Sequence, residues 1–234
     1  MSFIVLIPSR LKSTRLPNKP LIKIGNKTLL SRVFERAILS DAKKVYVVTD
    51  HKSIETHCKE INAQCVMTNN NHLTGTDRLA EAAEILNLDN EEIVVNLQGD
   101  EPFSDPKDIN KVANIILQNK EESMGTLYTN IDNDHDLIDK NKVKILVNNS
   151  SKVISFSRIK PVNIPSNIKL GIHIGIYSYK VSFLKYFTNL ERTQNEISEN
   201  LEQLRLMDNN KNIYADLSKN LVHLGIDTQE DIDL

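Results

Sequence analysis

FIVLIPSRLKSTRLPNKPL, residues 3–21, joins two stretches of opposite character. Phe3–Ile7 is continuously apolar, the pattern of a strand buried on both faces. The next fourteen residues (8–21) set Arg10, Lys12, Arg15 and Lys19 among Pro8, Ser9, Ser13, Thr14, Pro17 and Pro20. Cations interleaved with prolines and hydroxyls form a shaped loop, not a helix face. A basic run is by default a solvated surface. This one lies beyond the carboxyl end of a strand, where open α/β sheets bind ligands, and an anion is the natural guest.

Past this loop, apolar runs alternate with helical periodicity. Leu29, Leu30, Val33, Phe34, Ala37 and Ile38 recur at helical spacing behind Thr28 as N-cap. Strands are expected at Val45–Thr49, Cys65–Thr68 and Ile93–Leu97. Helices are expected near Ser53–Ile61, over Asp77–Leu88, and from Asp105-Pro106 to about Asn119. This order implies an α/β fold with a mostly parallel central sheet and helices on both faces. Beyond Met124 the segments Gly125–Ile131, Lys144–Asn148, Val153–Ser157 and Gly171–Tyr177 read as an antiparallel extension in the second half. A helix near Glu196–Met207 and a last strand at Val222–Ile226 complete the reading. No linker or repeat divides the chain, so one domain is expected over 1–234.

Bulk properties exclude several classes. The 234 residues are 40% hydrophobic and 26% charged, an ordinary globular composition with enough chain for a sizeable core. The formal net charge of -2 argues against general nucleic-acid binding, so the basic loop is a local feature. Cys58 and Cys65 have no His–Cys company at zinc spacing and read as reduced thiols. No apolar run approaches ~18 residues and no signal-peptide pattern opens the chain, so the expectation is cytoplasmic, with no membrane partner.

Four stretches follow expected strand ends: Pro8–Leu21, Thr49-Asp50-His51, Gln98-Gly99-Asp100-Glu101-Pro102 and Gly225-Ile226-Asp227-Thr228. In a parallel sheet these ends share one edge, so the four stretches converge on one cleft. Neither a Walker A pattern nor G-x-G-x-x-G is present. Arg10, Arg15 and Lys19 can instead neutralise a polyphosphate by charge-assisted hydrogen bonds. Asp100, beside Gly99, suits either a helix-capping or turn aspartate or a Mg²⁺ ligand, because that ion takes one or two carboxylates with phosphate oxygens and water. Asp227 suits either the same ion or a plain helix start, since Asp-Thr-x-Glu is also a capping pattern. His173, inside an apolar strand, reads by itself as a structural histidine; His51 and His72 lack an evident catalytic partner.

Pro8-Ser9-Arg10-x-x-Ser13-Thr14-Arg15-Leu16-Pro17-x-Lys19-Pro20-Leu21 resembles the nucleotide-binding signature of the cytidylyltransferases that activate acidic sugars. Further stretches are similar to the branch acting on 3-deoxy-manno-octulosonate (Kdo). They are Thr49-Asp50-His51, His72-x-x-Gly75-Thr76-Asp77-Arg78-Leu79-Ala80-Glu81, Asn96-x-Gln98-Gly99-Asp100-Glu101-Pro102, Phe156-Ser157-Arg158, His173-x-Gly175-Ile176-Tyr177, Leu201-Glu202-Gln203-Leu204-Arg205 and Gly225-x-Asp227-Thr228-x-Glu230-Asp231. The resemblance runs in order over essentially the whole chain. It implies a Rossmann-like nucleotide-diphospho-sugar transferase fold, with a nucleotide-binding half at about 1–122 and a sugar-binding and dimerisation elaboration at about 123–220.

The implied substrates are CTP and a 2-keto-3-deoxy sugar acid, the implied cofactor Mg²⁺ and the implied assembly a homodimer. On the same resemblance Lys19, Arg10 and Asp100 are the catalytic residues. Pro8, Ser9, Arg10, Arg15, Lys19, Gly75, Thr76 and Arg78 bind nucleotide, Gln98, His173, Glu202 and Gln203 the sugar, and Asp100 and Asp227 the metal. The stretch between Arg158 and Gly171 is shorter than usual in the family and lacks tryptophan, and the chain stops at Leu234 soon after Asp227. Three alternatives remain beside this reading: the same chemistry on a related acid such as 8-amino-Kdo, a nucleotide-sugar glycosyltransferase, and a non-catalytic nucleotide sensor. Asp105-Pro-Lys-Asp108 does not supply the glycosyltransferase's Asp-x-Asp, and the intact Asp100 and basic loop argue against a sensor.

Overall fold

The apolar run at the start of the chain forms β1 (Phe3–Pro8), buried on both faces. The computed structural model of the protein describes residues 2–11, 16–72, 74–119, 123–219, 225–226 and 228–233. After the basic loop come a 3-10 turn at Lys19–Leu21, a small hairpin of β2 (Lys23–Ile24) and β3 (Lys27–Thr28), and α1 (Leu29–Ile38). The chain continues through β4 (Lys44–Thr49), α2 (Lys52–Glu60), β5 (Gln64–Met67), α3 (Gly75–Ile85), β6 (Ile93–Asn96) and α4 (Pro106–Gln118). The second half holds β7 (Ser123–Thr129), α5 (Asp134–Ile138), β8 (Lys144–Asn148), β9 (Val153–Ser157) and β10 (Ile168–Lys180). It closes with α6 (Val181–Thr188), α7 (Gln194–Glu199), α8 (Leu204–Asp208), β11 (Asn212–Leu217) and α9 (Gln229–Asp233).

Among the described residues nine strands make one sheet, in the order β11-β7-β10-β6-β1-β4-β5, with β8 and β9 branching from β10. β1 lies between β4 and β6 and is parallel to both, and β5 is parallel to β4. Strands of this kind need helical crossovers, which α1, α2, α3 and α4 provide. β10 runs antiparallel to β6, β7 and β8. Its 13 residues therefore join the parallel region to the antiparallel extension.

Side-chain alternation along β1 places helices on both faces. Ile4 and Leu6 enter one core with Leu79, Ala82 and Ala83 of α3 and Phe183, Leu184 and Phe187 of α6. Phe3, Val5 and Ile7 enter the other with Leu30 and Val33 of α1, Ile54 and Cys58 of α2, and Ile109, Val112 and Ile116 of α4. Each large side chain so buried contributes about 1.5–3 kcal/mol. Thr28 caps α1 as expected, its side chain accepting from Ser31 N. The first half thus forms where its apolar periodicity indicates.

The second half departs from expectation in several places, α5 among them. α6 replaces an unassigned stretch, because Val181, Phe183, Leu184 and Phe187 all face the core; tertiary burial overrides the weak helix propensity of branched and aromatic residues. The helix expected over Glu196–Met207 is two short helices, interrupted where Asn200 takes a left-handed conformation with φ 52. β11 is unexpected; it pairs parallel with β7, and only alternate residues such as Ile213 and Ala215 are buried. Most of the expected strand at Val222–Ile226 lies outside the described residues, and Gly225 and Ile226 are not in a strand. Among the described residues no helix is long and apolar enough to cross a membrane.

Candidate active site

The carboxyl ends of β1, β4 and β6 meet on one edge of the sheet. Ser9 N donates to Val48 O at 2.8 Å and Leu97 N to Leu6 O at 3.1 Å, so the three exits are tied together. Gly99 makes the closest approach: a Cβ there would lie 2.7 Å from Pro8 O. No side chain fits, and the loop after β6 folds directly over the start of the basic loop. Gly75, opening α3, also packs beside Pro8, where an added Cβ would meet the ring at 3.6 Å. The N-terminus of α3 thus faces the same corner, held by a capping box between Thr74 and Asp77.

Lys19 sits at the head of the 3-10 turn after Asn18, whose φ of 56 allows the chain to reverse. The lysine is buried, and its Nζ reaches Asp100 Oδ2 at 2.7 Å. The Asp100 carboxylate keeps 36% of its side-chain surface exposed. Ile226 N donates to Asp100 O at 2.9 Å, and Ile226 packs with Leu16 and Leu29, so the far end of the chain closes against the same loop. Arg10, at the start of the basic loop, is exposed. Ser9 is buried and its Oγ has no hydrogen-bond partner among the described residues. Arg15 and Asp227 lie outside the described residues.

Arg78 differs from the other cations. Its side chain is fully buried, with Nη2 donating to Asp50 Oδ2 at 2.9 Å and Nη1 to Thr68 Oγ1 at 2.7 Å. It joins the ends of β4 and β5 beneath α3 instead of standing open in the cleft. Thr76 is also buried, and its hydroxyl donates to Glu202 Oε2 at 2.9 Å. His51 caps α2 by accepting from Ser53 N, and His72 pairs with Glu81. Both histidines serve local structure.

A second group of polar residues lines the side of the cleft built by β6, β10 and the α7–α8 turn. Gln98 Nε2 donates to Asn96 Oδ1 at 3.0 Å, and Asn96 lies opposite Tyr177 in the β6–β10 register. Burial raises the carboxyl pKa of Glu202 and the phenol pKa of Tyr177. Gln203 is buried, with no partner for Nε2 among the described residues. Arg205 holds this turn by two bonds to Glu196, at 2.7 and 2.8 Å, and lies 5.0 Å from the Phe187 ring centroid. The His173 ring stands edge-on to Phe156 at 4.9 Å and tilted to Tyr177 at 5.6 Å. Desolvation lowers its pKa to about 3, so the imidazole is neutral.

Lys19, Asp100, Gly75, Thr76 and Ser9 therefore gather at one corner of the edge, and Gln98, His173, Glu202 and Gln203 beside it. Sequence reasoning missed Thr126, whose hydroxyl contacts His173 Nε2 at 2.9 Å. A threonine within an apolar strand gives no signal of such a contact.

Comparison with known proteins accords with this arrangement. The family described as cytidylyltransferase matches residues 4–213. The 3-deoxy-manno-octulosonate cytidylyltransferase of Polynucleobacter necessarius is 41% identical over 99% of this chain and 93% of its own. That of Saccharophagus degradans is 41% identical over 100% of this chain and 96% of its own. A solved CMP:2-keto-3-deoxy-manno-octonic acid synthetase complexed with CTP superposes with a TM-score of 0.89 at 33% identity, covering 99% of this chain and 95% of that one. The chain belongs to the cytidylyltransferase family, with the 3-deoxy-manno-octulosonate cytidylyltransferases as full-length relatives.

Proposed function

We propose that this protein activates 3-deoxy-manno-octulosonate with CTP, giving CMP-Kdo and pyrophosphate for lipopolysaccharide assembly. The observation that carries the reading is the Lys19–Asp100 pair at the carboxyl ends of parallel strands. It sets a phosphate-binding cation beside a carboxylate suited to a divalent metal, in a chain related over its full length to Kdo cytidylyltransferases.

The anomeric hydroxyl of the sugar acid attacks the α-phosphorus in line; the new O–P bond forms as the bond to pyrophosphate breaks. Lys19, Arg10 and Arg15 hold the triphosphate and stabilise the charge that builds on its oxygens. Pro8, Ser9, Gly75 and Thr76 shape the nucleotide subsite, where the α3 N-terminus favours anionic or polar groups. Arg78 supports that subsite from behind through Asp50 and Thr68. Gln98, His173, Glu202 and Gln203 hold the sugar acid so that its hydroxyl meets phosphorus in a reactive pose.

Asp100 and Asp227 would hold Mg²⁺. The fit rests on Asp100's partly exposed carboxylate and on Ile226, the neighbour of Asp227, bonding to the Asp100 carbonyl. Among the described residues no cluster of three or more acidic, His or Cys side chains could cage a metal alone. Mg²⁺ takes most of its ligands from phosphate and water. Bound there, Mg²⁺ supplies charge neutralisation and eases deprotonation of the attacking hydroxyl.

The single sheet shared by both halves supports one domain, and the chemistry supports a cytoplasmic location, where CTP is made. A homodimer fits the edge strand β9, where Ile154 is 45% exposed and is followed by Ile159 at 66% and Val162 at 78%. Pyrophosphate release with CTP, Mg²⁺ and a panel of 2-keto sugar acids, including the 8-amino analogue, tests the assignment. Kdo with CTP should be the fastest pair. Faster turnover with UTP or ATP would overturn the nucleotide, and preference for the amino analogue would move the assignment to that acid.

A further inference from the structure

β10 is irregular at one place: its pairing with β7 shifts between Ile174 and Tyr177. Thr126 of β7 lies against this bulge, fully buried. Its single hydroxyl has three neighbours: His173 Nε2 at 2.9 Å, Ile176 O at 2.9 Å and Ile174 O at 3.2 Å. Two of the three are carbonyls, which only accept. The hydroxyl carries one proton and has lone pairs to accept with. All three contacts are hydrogen bonds only if Thr126 gives its proton to the carbonyls and accepts one from Nε2.

That assignment fixes the imidazole. A neutral ring with hydrogen on Nε2 has a bare Nδ1, and Nδ1 has no partner among the described residues. The ring is held in orientation by Phe156 and Tyr177. We propose that Thr126 is a positioning residue that locks His173 as its Nε2–H tautomer, so that Nδ1 acts as an acceptor for a hydroxyl group of the sugar acid. This rests on the reading of His173 as a sugar-site residue, and it adds the polarity: the site selects a donor at that point. An acceptor-only group at the corresponding position of the substrate would meet a lone pair and lose the bond. The bulge is what allows the arrangement, since it turns two backbone carbonyls toward one side chain.

Long-range ¹H–¹⁵N correlation of histidine-labelled protein reads the tautomer directly, with His173→Gln identifying the signal. The expected result is a protonated Nε2 and an unprotonated Nδ1 in the wild type. A protonated Nδ1 would overturn the proposal whatever the variants do. Thr126→Val keeps the shape and removes the acceptor. It should mix the two tautomers and raise the KM for the sugar acid by about tenfold, with the KM for CTP unchanged. Thr126→Ser should restore both readouts. If His173→Gln raises the sugar KM but Thr126→Val does not, the positioning role fails while the sugar-site reading stands. If His173→Gln leaves that KM unchanged, the sugar-site reading fails and takes Nδ1 recognition with it, even where the tautomer is as expected.

Discussion

Lys19 Nζ and Asp100 Oδ2 are 2.7 Å apart, although the two residues are 81 positions distant in the chain. Each is the partner the other needs before substrates arrive. The lysine is almost enclosed, with 11% of its side-chain surface exposed, and the carboxylate neutralises it. On the proposed function, phosphate would take over the cation and a divalent metal the carboxylate, so that neither charge is left unpaired.

Lys19→Met is therefore expected to damage catalysis far more than folding. Losing one charge-assisted phosphate contact costs roughly 2–4 kcal/mol of transition-state stabilisation. Steady-state kinetics should show kcat/KM falling by about two to three decades. Thermal melting should barely move, because methionine keeps the buried stem and the Asp100 carboxylate left behind is partly in solvent. Near-normal turnover would return the loop to an ordinary solvated surface.

Asp100→Asn separates metal binding from a structural role. The amide keeps the size and can still accept from Lys19, but lacks the charge a hard divalent cation requires. The variant should melt with the wild type, lose several decades of activity, and bind CTP without the Mg²⁺ dependence of the parent in calorimetric titration. An active, magnesium-responsive variant would remove Asp100 from the metal site.

Arg78→Met should behave in the opposite way. It leaves Asp50 beside Thr68 without its guanidinium partner, at a cost of about 3 kcal/mol. Denaturant unfolding should register this loss, and the double variant with Asp50→Asn should recover part of it, because no unpaired charge remains. Unchanged stability in Arg78→Met would show the clamp to be dispensable.

His173 gives a pH signature. Its folded-state pKa is lowered from 6.5 to about 3, so between those values the unfolded chain binds a proton that the folded chain refuses. The stability it contributes is complete above about pH 6.5 and is lost as pH falls through this window, by about 1.4 kcal/mol per unit. The stability difference between wild type and His173→Gln should shrink steadily from pH 6.5 toward pH 4. A difference independent of pH would mean that the imidazole is not held neutral.

The parallel half was legible because strands buried on both faces leave continuous apolar runs, as Phe3–Ile7 and Ile93–Leu97 do. The convergence at Gly99 and Asp100 was legible for a related reason: strand ends share an edge whatever the details of packing. The break at Asn200 was hidden, since Ile197, Leu201 and Leu204 continue a helical spacing across it. Arg78 came into the site only through the family resemblance, and its burial against Asp50 and Thr68 could not be read from the sequence. Thr126 could not be found at all, because its partners lie 47 to 50 residues away and two are backbone carbonyls.

β10 also bears on how the chain is made. It lies between β6 and β7 and supports β8, yet it ends at Lys180. Until the ribosome has released that strand, β6 presents an unpaired edge and β7 has no neighbour to join it to the parallel sheet. The nascent first half therefore carries an open edge through synthesis of nearly all the antiparallel extension. Once made, β10 joins β7 and β8 to the parallel strands, and β11 adds to β7 only afterwards. A ribosome stalled before Lys180 would hold out a sticky half-sheet, the kind of species that chaperones exist to cover.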